Sequence, residues 1–106
     1  MAFNRKLSVG IGVTPTIVTN TVSLGTTHTI HGLTVANITS GAVAATVTLT
    51  DGTDTVNIVK GISIPANDSL GVMGMDFKHN LIAGDSISVV SDTAASLDVL
   101  CSYLEQ

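Results

Sequence analysis

From Leu7 to Thr50 the chain runs for 44 residues without an Asp, Glu, Lys or Arg, and it fills them with Thr, Ser and β-branched apolar residues in near alternation. A strand sends successive side chains to opposite faces. Leu7-Ser8-Val9-Gly10-Ile11-Gly12-Val13 and Ala45-Thr46-Val47-Thr48-Leu49-Thr50 therefore each pair one apolar face with one small, neutral face. The period is that of sheet and not of a membrane helix. Monomeric sheets guard their edges and outer faces with Lys, Glu or Pro, and a sheet lacking those guards pairs with or packs on something. The stretch predicts a building block of an assembly.

At 106 residues the chain is one domain, able to bury a core without staples. Only 11% of its residues are charged, against about 25% in average domains. Its aromatic residues, Phe3, Phe77 and Tyr103, are too few for the stacking platforms that sugars or single-stranded bases require. A net charge of −4, with Arg5, Lys6, Lys60 and Lys78 as the basic residues, provides no footprint for nucleic acid. Arg5-Lys6 instead suits an acidic protein surface. Cys101 has no partner for an internal disulfide, and its apolar, alternating neighbourhood predicts a small buried hydrophobe.

Met1 to Lys6 followed by Leu7 to Val18 faintly resembles a secretory signal, but Ser8, Thr14, Pro15 and Thr16 interrupt the apolar run and no small-residue cleavage site follows. No run of about 18 apolar residues exists for a spanning helix, so no membrane partner is expected. The expectation is a soluble product made and used inside the cell.

Residues 1–14 read as an N-terminal arm or edge strand closed by Thr14-Pro15, and residues 15–106 as the body. Strands are expected at Leu7–Val13, Ile17–Leu24, Thr29–Ile38, Ala45–Thr50 and Asp54–Ile58. Further strands follow Lys60, from Ser69 to about Met75, and at Ser86–Val90 and Ser96–Tyr103. Asp51-Gly52-Thr53 is the sharpest hairpin signal, because Asp-Gly supplies the positive φ of a tight turn. Pro65-Ala66-Asn67-Asp68 and Ala83-Gly84-Asp85 mark further turns. With no sustained helical period, this pattern predicts an all-β fold. It is a single antiparallel β-sandwich, jelly-roll or Ig-like, of about eight strands with an extended N-terminal arm.

Residues that carry chemistry are scattered. His28 and His31 lie three apart, which sends them to opposite faces of a strand, whereas two ligands on one strand need a separation of two. His79 has Asp76 nearby and no third ligand. Asp51 and Asp54 lack the alternating oxygens of a calcium loop and read as turn formers. Ser69, His79 and Asp85 supply the residue types of a triad but no nucleophile elbow. Gly10-Ile11-Gly12 lacks the later glycine of a dinucleotide site. Met73-Gly74-Met75 reads as core filler or as a small adaptable surface. The expectation is no catalytic, cofactor-binding or metal-ligating residue, and no enzyme.

Four segments in order carry a resemblance: Thr29-Ile30-His31-Gly32-Leu33-Thr34-Val35-Ala36-Asn37-Ile38-Thr39, Ile64-Pro65-Ala66-Asn67-Asp68-Ser69-Leu70, Leu81-Ile82-Ala83-Gly84-Asp85-Ser86-Ile87-Ser88-Val89 and Leu97-Asp98-Val99-Leu100-Cys101-Ser102-Tyr103-Leu104-Glu105. Together they resemble small β-sandwich virion proteins of tailed bacteriophages, over about Thr29 to Glu105. The resemblance implies a non-enzymatic structural role in the virion. The first expectation is a capsid decoration or cement protein that binds the major capsid protein and itself, as a homotrimer. The alternatives are a neck, tail or baseplate component and an adhesin-like receptor-binding module. Strand addition by the arm would place the interface at Phe3, Arg5, Lys6, Leu7, Val9, Ile11 and Val13.

Overall fold

The computed structural model describes residues 2–73 and 79–106. Gly74 and Met75 of the Met73-Gly74-Met75 surface, and the stretch from Asp76 to Lys78, Phe77 included, lie outside the described residues. Among the described residues nine strands follow one another: β1 (Ala2–Ile11), β2 (Thr16–Ile17), β3 (His28–Asn37), β4 (Val43–Thr50), β5 (Thr55–Ile64), β6 (Ser69–Met73), β7 (His79–Leu81), β8 (Ser86–Ser91) and β9 (Leu97–Glu105). They form two antiparallel sheets packed as a sandwich. The first runs β1-β9-β3-β6, with β7 also paired to β3, and the second runs β2-β8-β4-β5.

Alternation builds the core between them. Leu97, Val99, Cys101 and Tyr103 of β9, with Leu33, Val35 and Asn37 of β3, are buried from the first sheet. Val43, Ala45 and Val47 of β4, with Ile87 and Val89 of β8, meet them from the second. The β5–β6 turn closes one end, with Ile64 buried and Leu70 and Val72 packed against the core.

The Asp-Gly hairpin forms where the sequence places it. Gly52 takes φ 97°, and Asp51 Oδ1 accepts the amides of Thr53 at 2.8 Å and Asp54 at 2.7 Å. At the second turn Asn67 adopts φ 58° and the Asp68 amide donates to the Pro65 carbonyl.

The strand expected over Ile17–Leu24 is the main departure. Only Thr16–Ile17 pairs, with Val89 and Ser88 of β8, and residues 18–27 then cross from the second sheet to the first. Val18 and its neighbour Thr19 are both buried in this crossing, and two consecutive buried side chains are what an alternating strand does not produce. Thr19 turns its hydroxyl to the Ile87 amide at 3.2 Å.

β1 starts earlier than its apolar alternation, because Ala2 to Lys6 already pair with Glu105 to Cys101. It lies at the edge of the first sheet, along β9. Between Ser8 and Ile11 the register slips: Val9 and Gly10 stand opposite Asp98 alone, Gly10 takes φ 62°, and its amide donates to Asp98 Oδ1 at 3.0 Å. Such a bulge reverses which side chains face inward from there on.

Candidate functional site

That bulge decides what β1 presents to solvent. Before it, Asn4, Lys6 and Ser8 stand opposite the buried Tyr103, Cys101 and Val99, while Phe3, Arg5, Leu7 and Val9 project from the outer face. The apolar side of the strand is thus turned away from its own core. Phe3 is 76% exposed, Leu7 61% and Val9 79%, and Leu100, paired with Leu7, adds 41%. Ile11, past the bulge, is 2% exposed and belongs to the core.

Of the seven residues expected at an interface, four therefore share one surface. Phe3, Arg5, Leu7 and Val9 form the outer row. Lys6 bends inward, and its Nζ donates to the Thr19 carbonyl at 3.3 Å. Ile11 is core, and Val13 is exposed in the connection to β2. Straight alternation groups Leu7, Val9, Ile11 and Val13, so a reading without the bulge misplaces the last two.

The outer face continues across β9 and β3. Leu7, Val9, Thr34, Ala36 and Leu100 line an apolar depression of about 350 Å³. Beside it lies a more polar one of about 440 Å³, lined by Phe3, Arg5, His31 and Ser102. His31 arrives there through a second bulge: Ile30 pairs with Tyr103 and Gly32 with Ser102, which leaves His31 as the extra residue. Its ring meets Phe3 edge to face with centroids 5.8 Å apart. Sequence reasoning did not join Phe3 to His31; the glycine at position 32, inside a strand pattern, is the signal that marks such a bulge.

The outer face of the second sheet is different. Thr46, Thr48 and Thr50 of β4 and Ser86 and Ser88 of β8 cover it with hydroxyl groups. Exposed apolar side chains occur in this sheet too, at Ile17 of β2 and at Val56 and Ile62 of β5, so the row on β1 is not the whole of the apolar surplus.

His28 and His31 lie on opposite faces, as their spacing predicts. His28 is buried, stacks on Tyr103 with ring centroids 4.5 Å apart, and places Nε2 3.0 Å from Glu105 Oε2. Asn20 Nδ2 donates to the Tyr103 hydroxyl at 2.6 Å, so this cluster ties the crossing segment to β9.

Ser69, His79 and Asp85 stand apart. Ser69 pairs with Ala36 and His79 with Ile30, six residues along β3, or ~20 Å at the rise of a strand. The Asp85 carboxylate is occupied by the Ile82 amide at 3.0 Å. Among the described residues, no group of three or more His, Cys, Asp or Glu side chains gathers as metal ligands, and no helix is long and apolar enough to cross a membrane. Cys101 is buried, and that burial pushes its thiol up to about 11 against the opposing charge of Lys6. The Asp51 carboxyl is held below its ordinary value by the Asp54 and Thr53 amides.

No family model matches the chain, and no curated protein sequence matches it. Two crystal structures of a pentameric capsid protein isolated from metagenomic phage sequences are similar to it, at 20% identity and a TM-score of 0.43 in each case. The likeness covers 94% of this chain and 60% and 59% of those chains, so the chain spans about three fifths of their length.

Proposed function

We propose that this chain is a non-enzymatic structural protein of a tailed-phage virion, a decoration or cement subunit that coats the major capsid protein shell as a homotrimer. The observation that carries the reading is the inverted β1: its outer row of Phe3, Leu7 and Val9, joined by Leu100, faces solvent while its polar row faces the core side. A strand pays for such an arrangement in solubility unless something covers it, and contiguous exposed apolar surface marks interaction sites. The four segments that resemble phage virion proteins support the same reading. They form β3, the β5–β6 turn, the β7–β8 turn with β8, and β9, the scaffold on which β1 is carried.

The mechanism is mass action. A subunit that binds the assembled shell and not its dissociated parts stabilises the shell by its own binding free energy. Quantitative mass spectrometry of the purified particle, against the major shell protein, tests the proposal. A copy ratio near one, or a simple fraction of it, is expected. A dozen copies or fewer would move the chain to the neck or tail, and absence from the particle would overturn the virion role.

A further inference from the structure

We infer that the depression between Phe3, Arg5, His31 and Ser102 seats a carboxylate carried by an extended, otherwise apolar segment of the protein that this chain binds. The inference rests on the assembly role proposed above and specifies the chemistry of the partner surface.

Three features converge on it. Arg5 is the cation of the outer row, flanked at strand spacing of about 7 Å by Phe3 and Leu7. Among the described residues the single ion pair is His28 with Glu105, on the inward side, and it does not involve Arg5. The bulge at His31 brings its ring to the wall of the same depression, and the buried Nε2 of that ring has no hydrogen-bond partner. Between the two, Gly32 stands opposite Ser102, and these small side chains leave the space that Phe3 and His31 wall.

Covering the apolar row removes water from Arg5. A guanidinium so enclosed is costly unless a carboxylate replaces the lost hydration, which it does with paired N–H donors. The required partner therefore presents a carboxylate between apolar side chains. A second copy of the same face meets this requirement less well. In an isologous contact the patch meets itself, and the acid it offers on these strands is Asp98, one of whose oxygens is already held by the Gly10 amide of its own chain.

The test is an NMR titration of the full chain with the peptide acetyl-Val-Glu-Val-Thr-Val-amide and with its Gln counterpart. Saturable shifts are expected at Arg5 Nε–H, the His31 ring and the Leu7 methyls, with the Gln peptide weaker by about fivefold or more. The variant Arg5→Gln, exposed and therefore foldable, should bind the two peptides alike. Absence of saturable shifts, or equal binding of both peptides to the unaltered chain, overturns the inference. So does a shift of the same signals with protein concentration alone, which would make the face a contact between copies. The outcome is separable from the virion role: a chain that discriminates the Glu peptide but is missing from the particle retains the carboxylate seat and loses the decoration reading.

Discussion

Asn37 on β3 donates from Nδ2 to the carbonyl of Ile64 at the end of β5, 2.9 Å away, and so joins the two sheets through one buried side chain. The same nitrogen also reaches the carbonyls of Gly41 at 2.9 Å and Pro65 at 3.2 Å, while its Oδ1 accepts the Thr39 amide and hydroxyl. One amide thus satisfies both loops at this end of the sandwich.

Replacing Asn37 by Ala leaves several of these groups unpaired in a buried site, each worth about 1–3 kcal/mol. The expected loss is about 3 kcal/mol in urea denaturation. Asn37→Asp should be at least as harmful at neutral pH, because a carboxylate would face three carbonyl oxygens. A loss below about 1 kcal/mol for both variants would mean that water replaces the amide without penalty.

Cys101 stands opposite Lys6 in the β1–β9 ladder, and its burial raises the thiol from the ordinary 9.0 to about 11. The unfolded chain gives up this proton first as pH rises, so the stability contribution is complete below 9.0 and is lost between there and about 11. Over that window the folded state should lose about 2–3 kcal/mol that Cys101→Ala does not lose. Denaturation midpoints of both proteins from pH 8 to 11 measure the difference; parallel curves would show that the thiol is accessible to water. Alkylation of native Cys101 at pH 8 should correspondingly be slow until the chain is unfolded.

At the opposite end of the scale, Asp51 holds its hairpin by accepting the Asp54 and Thr53 amides, and its pKa lies below the ordinary 3.8. A lowered carboxyl contributes stability that is present above 3.8 and disappears as pH falls through the folded value. Asp51→Asn keeps an acceptor oxygen but no charge. The advantage of the native residue should be visible at pH 6 and should shrink on acidification below 3.8; an advantage that persists to pH 2.5 would assign it to geometry alone.

Much of this fold is legible in the sequence, and the reasons are local. Leu97, Val99, Cys101 and Tyr103 alternate without interruption, so β9 is readable as a half-buried strand. Asp51-Gly52 encodes its turn through backbone sterics alone. What escapes reading is set at longer range. Val18 and Val22 are buried by a crossing between sheets, whose path depends on which strands pair. The bulges opposite Asp98 and at His31 each reverse a face, and they are properties of a strand pair rather than of one strand. For that reason alternation groups Leu7, Val9 and Ile11 on one row, but it shows neither that Leu7 and Val9 turn outward nor that Ile11 is core.

The inverted β1 makes a prediction that separates folding from association within a single strand. Ile11 lies past the bulge in the core, so Ile11→Ala should cost about 2–5 kcal/mol. Leu7 and Val9 lie before it on the outer face, so Leu7→Ser and Val9→Ser should change stability by less than about 0.5 kcal/mol. If the outer row is an interface, the same two substitutions should release the protein from purified particles, read as the fraction retained after sedimentation. Deleting residues 1–13 is a poorer test, because it also strips Ile11 from the core and the ladder from β9. A Leu7→Ser chain that is as stable as the native one and equally retained would remove the outer face of β1 from the assembly. Loss of stability on Leu7→Ser with none on Ile11→Ala would mean that the strand sits with its faces exchanged, and the carboxylate seat at Arg5 would fall with it.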